Sequence, residues 1–216
     1  MNILAINTSD DVLSVALKLN AEILSKQLRA QRNHNQSVLI MIDQMFASAG
    51  MKSGDIDAVA FGVGPGSFTG LRIAAGVAQG MAFGIDVPVM PVSCMAAIAQ
   101  KQTCDKVIVA IDAKRSNLYS GRYVRNTSGL MELSGEERLS SIMDLDLSGE
   151  GWCGAGSGWD MHAEKLIQMS QQQLEWTTNQ TPHASEIALL GEGGLIQGDG
   201  RDACLAVPNY HSPYFT

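Results

Sequence analysis

The chain has 216 residues, 45% of them apolar and 17% charged, which suits one large or two small globular domains and excludes a disordered polypeptide. Its net charge of −7 is uneven: residues 1–102 hold 7 basic and 7 acidic residues, and residues 103–216 hold 8 and 15. A protein that grips nucleic acid unaided shows a basic face, so that class is excluded too. The chain begins with an apolar run over 3–6 that ends in Asn7, Thr8 and Ser9, as a buried central strand would. It has no basic leader or small-residue cleavage site, and no apolar run nears the roughly 18 residues of a membrane helix. A cytoplasmic protein without membrane contact is expected.

Residues 12–19 are β-branched and apolar, Asn20-Ala21 turns the chain, and 22–28 completes a three-stranded meander. Val38, Met41, Ile42, Met45 and Phe46 recur at helical spacing and predict a helix over 34–49, stopped by Gly50. A strand over 57–61 leads into the glycine loop 62–70, followed by a helix over about 71–83 with Gly84 as its stop. A short strand over 88–92 and a helix to Gln100, capped by Ser93, complete the order β-β-β-α-β-α-β-α. A similar programme then restarts. Residues 106–111 form an apolar strand ending in Asp112, as the first ended in Asn7; strands follow over 118–124 and 130–133. A strand–turn–helix runs from Trp152 to Met169, and a last helix covers 184–190. The expected fold is α/β, of the actin, sugar-kinase and heat-shock-ATPase type, with two ribonuclease-H-like lobes, the second reduced. The expected division is 1–102 and 103–216.

Cys94, Cys104, Cys153 and Cys204 are widely spaced and contain no C-x-x-C pair, so reduced, mostly buried thiols are expected and no structural zinc site. His34, His162, His183 and His211 include no pair at i, i+4, so none is assigned to a metal and each reads as a solvated or capping residue.

The most specific string is Gly64-Pro-Gly-Ser-Phe-Thr-Gly-Leu-Arg72. Gly64, Gly66 and Gly70 permit tight backbone approach, and Ser67 and Thr69 offer oxygens to the first N–H groups of the helix. Such a helix start serves either as a capped turn or as an anion site. It is not a Walker loop, because no Gly-Lys-Ser/Thr follows. With Met1 to Ser9, Gln79-Gly80 and Ile111-Asp-Ala113, this string resembles the TsaB (YeaZ) family over nearly the whole chain, densely to about residue 100.

That resemblance implies a non-catalytic subunit of the bacterial machinery that places a threonylcarbamoyl group on the adenosine beside the tRNA anticodon. It further implies a heterodimer through the N-terminal lobe with the catalytic, metal-bearing paralogue TsaD, joined by the ATPase TsaE. Alone, a homodimer through the same surface is implied, with tRNA met only in the complex. No cofactor is expected for the chain itself; ATP or ADP at the complex interface is the alternative. The candidates for an anion or nucleotide loop are Asn7, Thr8, Ser9, Gly64, Gly66, Ser67, Thr69, Gly70 and Asp112. Asn7 stands where kinase-like members of the superfamily carry aspartate, and a neutral amide is a weaker partner for hydrated magnesium.

Gly76, Gly80 and Gly84 fall at i, i+4 and i+8 beside Ala74, Ala78 and Ala82. Interior glycines cost about 1 kcal/mol each in a helix, so a neighbouring backbone should approach: either the chain's own sheet or a helix across an interface. Met41 and Met45 are core or an adaptable surface. The resemblance favours an interface, with Val38, Met41, Met45, Arg72, Gly76, Gln79, Gly80 and Phe83 as its candidates. Gly154-Ala-Gly-Ser-Gly158 is misspaced for a dinucleotide loop, Glu175 is a weakly placed ribose partner, and the stretch reads as a strand-to-helix turn. Lys114, Arg115, Arg122 and Arg125 form the densest basic cluster, either a solvated face or a minor tRNA contact within the complex. After Pro208-Asn-Tyr210, His211 and Ser212 stand where the family usually has an arginine string, so no role of that arginine is carried over to this chain. The rival expectations are an ATPase or kinase using the interlobe cleft, a regulatory nucleotide-binding module, and a peptidase, for which no Ser/His/Asp or metal arrangement is seen.

Overall fold

Alternation along the first strand organises one half of the molecule. In β1 (Asn2–Asn7), Leu4 and Ile6 point to one side of the sheet and Ile3 and Ala5 to the other, all fully buried. A strand buried on both faces must lie in the middle. The computed structural model, which describes residues 1–29, 34–170 and 174–209, places it there. β2 (Val12–Leu19) and β3 (Glu22–Arg29) continue as the antiparallel meander, with Asn20 turning in the left-handed region. α1 (His34–Ala49) crosses to β4 (Ala58–Gly64), parallel to β1, and α2 (Phe68–Ile85) crosses to β5 (Val89–Ser93), parallel to β4. The sheet order is β3-β2-β1-β4-β5, the ribonuclease-H-like arrangement. α1 and α2 share one face, where Val38, Met41, Met45 and Ala78 meet Leu4, Ile6, Val59 and Phe61.

α3 (Cys94–Gln100) is capped as expected, Ser93 Oγ accepting from the Met95 N–H (3.1 Å) and the Ala96 N–H (3.3 Å). The second unit repeats the same plan. β6 (Lys106–Asp112) is flanked on one side by antiparallel β7 (Asn117–Arg125) and β8 (Met131–Leu133). A further strand, β9 (Arg138–Ser141), pairs with the first half of β7. β10 (Cys153–Ala155) runs parallel to β6, and after α4 (Ser157–Ser170) the short β11 (Trp176–Thr177) runs parallel to β10. The order β8-β7-β6-β10-β11 matches that of the first sheet strand for strand. Among the described residues no α-helix separates β9 from β10, where the first unit has α1, so this unit is the reduced copy. Its core centres on fully buried Trp159, whose indole donates to the Ile108 carbonyl at 2.9 Å.

The division differs from the expected one in a single important way. One unit comprises Met1–Ala97 together with the described chain from Pro182 onward; the other is Ile98–Thr181. α5 (Ala184–Gln197), expected in the second lobe, closes the free face of the first sheet with Ile187 and Ala188 against Ile3, Ala5 and Ala60. Gly191 lets this helix sit close, since a Cβ there would lie 2.8 Å from that of Ala60. A part-buried Lys18 Nζ to Glu192 Oε1 ion pair (2.7 Å) fixes its register.

The cysteine expectation is overturned for two of the four. Cys104 and Cys153 are joined as a disulfide; Cys94 is a buried thiol and Cys204 an exposed one. The expected stop at Gly84 also fails: α2 continues to Ile85 and Asp86 takes the left-handed cap conformation. Among the described residues no helix is long and apolar enough to cross a membrane.

Candidate functional site

The glycine loop packs on the chain itself. Ser67 is the N-cap of α2, its Oγ accepting from the Gly70 N–H at 3.3 Å, while its own N–H donates to the Ser9 carbonyl at 2.7 Å. The Thr8 hydroxyl donates to the Gly70 carbonyl at 2.6 Å. A Cβ added at Gly70 would lie 1.8 Å from the Thr8 carbonyl oxygen, and one at Gly66 would lie 2.5 Å from that of Ser9. At Gly64, with φ of 122°, it would lie 2.7 Å from the Asn209 carbonyl oxygen, and the Asn209 N–H donates to Val63 at 2.8 Å. The glycines are thus explained by backbone passing backbone. Thr69, expected to share in capping, is exposed inside the first turn, because the helix starts at Phe68 and not at 71.

Asn7 sits at the end of β1, fully buried. Its Nδ2 donates to the Pro182 carbonyl at 2.9 Å, and its Oδ1 accepts from the Ser9 hydroxyl at 2.8 Å and the Ser9 N–H at 3.4 Å. The amide therefore uses both a donor and an acceptor to tie the start of the C-terminal segment to the central strand. A Cβ at Gly62 would lie 2.8 Å from this Oδ1, so the loop glycines also make room for the amide. Asn7, Thr8, Ser9, Gly66, Ser67 and Gly70 are one constellation, with Gly64 beside it. Asp112 is described with the second unit, where His162 Nε2 stands 3.4 Å from its carboxylate and its N–H donates to Ser157 Oγ at 3.1 Å.

The outward face of α1 and α2 is open and mixed, with exposed apolar residues beside Asp43, Gln44 and Arg72. Gly76, Gly80 and Gly84 are exposed, and a Cβ at any of them would meet nothing within 4 Å. Their stripe does not pack on the chain's own sheet; Ala74, Ala78 and Ala82 do that. Phe83 is 80% exposed beside the stripe, and Arg72 lies over the Phe68 ring, 3.8 Å from its centroid. On α1, Val38, Met41 and Met45 are buried in the core, so as surface candidates they are misplaced. Leu39 and Ile40, one step out of phase, stand 54% and 57% exposed in their stead. On the other flank of α2, half-buried Gln79 donates to the Ala203 carbonyl at 3.3 Å and holds a segment that carries exposed Leu205 and Val207.

A family model described as TsaD, tRNA N6-adenosine threonylcarbamoyltransferase, matches residues 20–151. The tRNA threonylcarbamoyladenosine biosynthesis protein TsaB of Haemophilus influenzae is 43% identical over 129 residues, 58% of this chain and 55% of that protein. The chain thus spans about half the length of that relative. The Escherichia coli protein of the same name is 36% identical over 170 residues, covering 74% of this chain and 72% of the relative. The chain belongs to the TsaB family of tRNA threonylcarbamoyladenosine biosynthesis proteins. The solved structure of YeaZ from Pseudomonas aeruginosa agrees over 97% of this chain and 99% of its own, with a TM-score of 0.87 at 34% identity.

For a TsaB-family chain, the remaining candidates fall into place as structure. Arg122 stacks on Trp152, 4.0 Å from the ring centroid, pairs with Asp146 and donates to the Ser148 carbonyl at 2.8 Å. Hydrogen bonds from the Ser148 hydroxyl and N–H, with Arg122 beside them, hold the Asp146 carboxyl below its usual pKa. Arg125 donates to the carbonyls of Gln102 (2.5 Å), Gly129 (2.9 Å) and Cys104 (3.2 Å). Lys114 and Arg115 are exposed on the β6–β7 turn, so the basic cluster is divided. Gly154 to Gly158 is the strand-to-helix turn that the spacing suggests, because a Cβ at Gly154 would lie 2.4 Å from the Trp159 indole. His183 caps α5, its Nδ1 accepting from the Ser185 N–H at 3.3 Å. Tyr210, His211 and Ser212 lie outside the described residues. Sequence reasoning misses Leu39 and Ile40, although their phase against Val38, Met41, Ile42 and Met45 marks them; nothing local marks Leu205 and Val207.

Proposed function

We propose that this chain serves tRNA threonylcarbamoyladenosine biosynthesis as a non-catalytic subunit. The outward face of α1 and α2 docks a TsaD-type partner and, in its absence, a second copy of itself. The observation that carries this reading is the glycine stripe of α2: it faces open space, at a cost to helix stability that packing within the chain does not offset. Glycines so placed let a second helix approach closely, and Leu39, Ile40 and Phe83 supply the flanking apolar area. A TsaE-type ATPase and tRNA are met through that complex, the chain's net charge of −7 being unsuited to binding RNA alone. The cytoplasm is the place of work this implies.

We further propose that the chain uses no nucleotide of its own. The loop where phosphates would sit presents its glycines to the carbonyls of Thr8, Ser9 and Asn209, and the Asn7 amide is committed to Pro182 and Ser9. Both features argue against the kinase reading. The test is Gly80→Trp, which has room for its side chain in the isolated subunit. It should fold with an unchanged circular dichroism spectrum, lose the homodimer mass in solution, and fail to co-purify with the cognate TsaD. Full TsaD binding by the folded variant refutes the docking face. Calorimetric binding of magnesium-ATP at millimolar concentration by the chain alone refutes the nucleotide-free reading.

A further inference from the structure

The Cys104–Cys153 bond is a covalent feature that neither the fold nor the proposed docking face requires. Its two ends are held in place by other forces. Cys104 lies in the turn after α3, where the Arg125 guanidinium grips the carbonyls of Gln102 and Cys104 and pairs with Asp105. Cys153 opens β10 in register with Val107 of β6. These contacts set the two Cα atoms 6.6 Å apart, within the roughly 4.4–6.8 Å that a disulfide spans. Opening the bond leaves both anchors intact, so the two thiols stay within reach of one another.

We propose that Cys104 and Cys153 are a reversible redox pair that staples the second unit in response to a low-molecular-weight disulfide such as oxidised glutathione. Closure starts at Cys104, which is half-buried, whereas Cys153 is only 8% exposed. The Cys104 thiolate attacks one sulfur of the small disulfide and expels one thiolate, leaving a mixed disulfide on Cys104. The Cys153 thiolate then attacks the Cys104 sulfur and expels the second small thiolate. In balance, two protein thiols are oxidised by two electrons, one small disulfide is reduced to two thiols, and the two protons pass by way of solvent from the protein thiols to the small thiolates. The sequence separation of 49 residues encloses β6 to β9, so the staple acts on the second unit and not on the α1–α2 face.

The experiment uses the full chain carrying Cys204→Ser, which removes the exposed thiol. After reduction, excess oxidised glutathione should close the 104–153 bond, read by peptide mapping with alkylation, and dithiothreitol should reopen it. Closure of a loop this long should raise Tm by roughly 5–10 °C. It should slow amide exchange in peptides containing 102–106 and 151–155 while leaving α2 peptides and the homodimer mass unchanged. Adding Cys153→Ser should trap one glutathione on residue 104, and adding Cys104→Ser should leave residue 153 mostly unmodified. Alkylation of both Cys104 and Cys153 persisting in the oxidised sample, a bond that resists dithiothreitol, or equal adducts on both single variants would overturn the proposal. If a serine variant fails to fold, peptide mapping of the unsubstituted chain decides whether the bond closes and reopens.

Discussion

Gly70→Ala and Gly80→Ala make the same chemical change ten residues apart in one helix, and the structure requires opposite outcomes. At Gly80 the new methyl meets nothing within 4 Å, so only helix propensity and unfolded-state entropy change. Both favour alanine, by about 1 kcal/mol in total, which for a chain of this size is a Tm rise of roughly 2–4 °C. At Gly70 the methyl would lie 1.8 Å from the Thr8 carbonyl oxygen and 2.9 Å from the Thr8 carbonyl carbon, both backbone atoms. Relief means moving the end of β1 away from the start of α2, which also strains the Thr8 hydroxyl bond to Gly70. Overpacking of this kind costs about 1–3 kcal/mol in ordinary cores, and a backbone obstacle puts it at the upper end, so a net loss of about 2 kcal/mol or more is expected. Urea unfolding monitored by far-ultraviolet circular dichroism reads both, since all three tryptophans lie in the second unit and both glycines in the first, with stability taken from a midpoint shift at constant slope. Because self-association stabilises by mass action, the series is repeated over a hundredfold protein dilution. If Gly80→Ala proves destabilising in dilute solution, or Gly70→Ala neutral, the assignment of the two glycines to open space and to backbone contact is wrong.

Asn7→Asp should cost about 2 kcal/mol or more, because a carboxylate in that buried position faces the Pro182 carbonyl without the hydrogen the amide supplies; differential scanning calorimetry reads it. Lys18→Met should lower stability by about 1–3 kcal/mol and loosen α5, since Glu192 loses its partner; exchange mass spectrometry should find the added opening in 184–197, and an even change across the chain would count against the pairing. The Asp146 carboxyl is held below its ordinary value, so its contribution is complete above the usual carboxylate range and is lost as pH falls through its lowered pKa. Asp146→Asn should therefore flatten the acid limb of the stability–pH curve below about pH 4 and leave the shape of the curve near neutral pH unaffected, which a Tm series from pH 2 to 7 checks.

The first half of the fold is legible because its signals are local. The alternation of β1, the Asn20-Ala21 turn and the phase of Val38 to Phe46 each dictate one element, and Ser93 marks a helix start with its side chain. Legibility fails where the deciding partner lies far along the chain. β9 is four residues of mostly polar sequence that become a strand only because the first half of β7 offers a free edge. The loop 62–70 looks like an anion cradle because glycine spacing does not say what approaches, and what approaches is Thr8, Ser9 and Asn209. The disulfide is invisible for the same reason: Cys104 and Cys153 are brought together by β6–β10 pairing, not by spacing. Chemical softness suggests a surface role for Met41 and Met45, whereas helical phase alone points them inward.

The split of the first unit into two stretches of chain has a consequence for synthesis. As the polypeptide leaves the ribosome, residues 98–181 emerge complete and are free to settle, whereas the first sheet has one face still bare. Only when α5 appears does Lys18 find Glu192, and only when Pro182 appears does the Asn7 amide find its acceptor. A nascent chain stopped short of the last helix would expose Ile3, Ala5 and Ala60 to solvent, so premature termination here yields a sticky product and not a smaller working one.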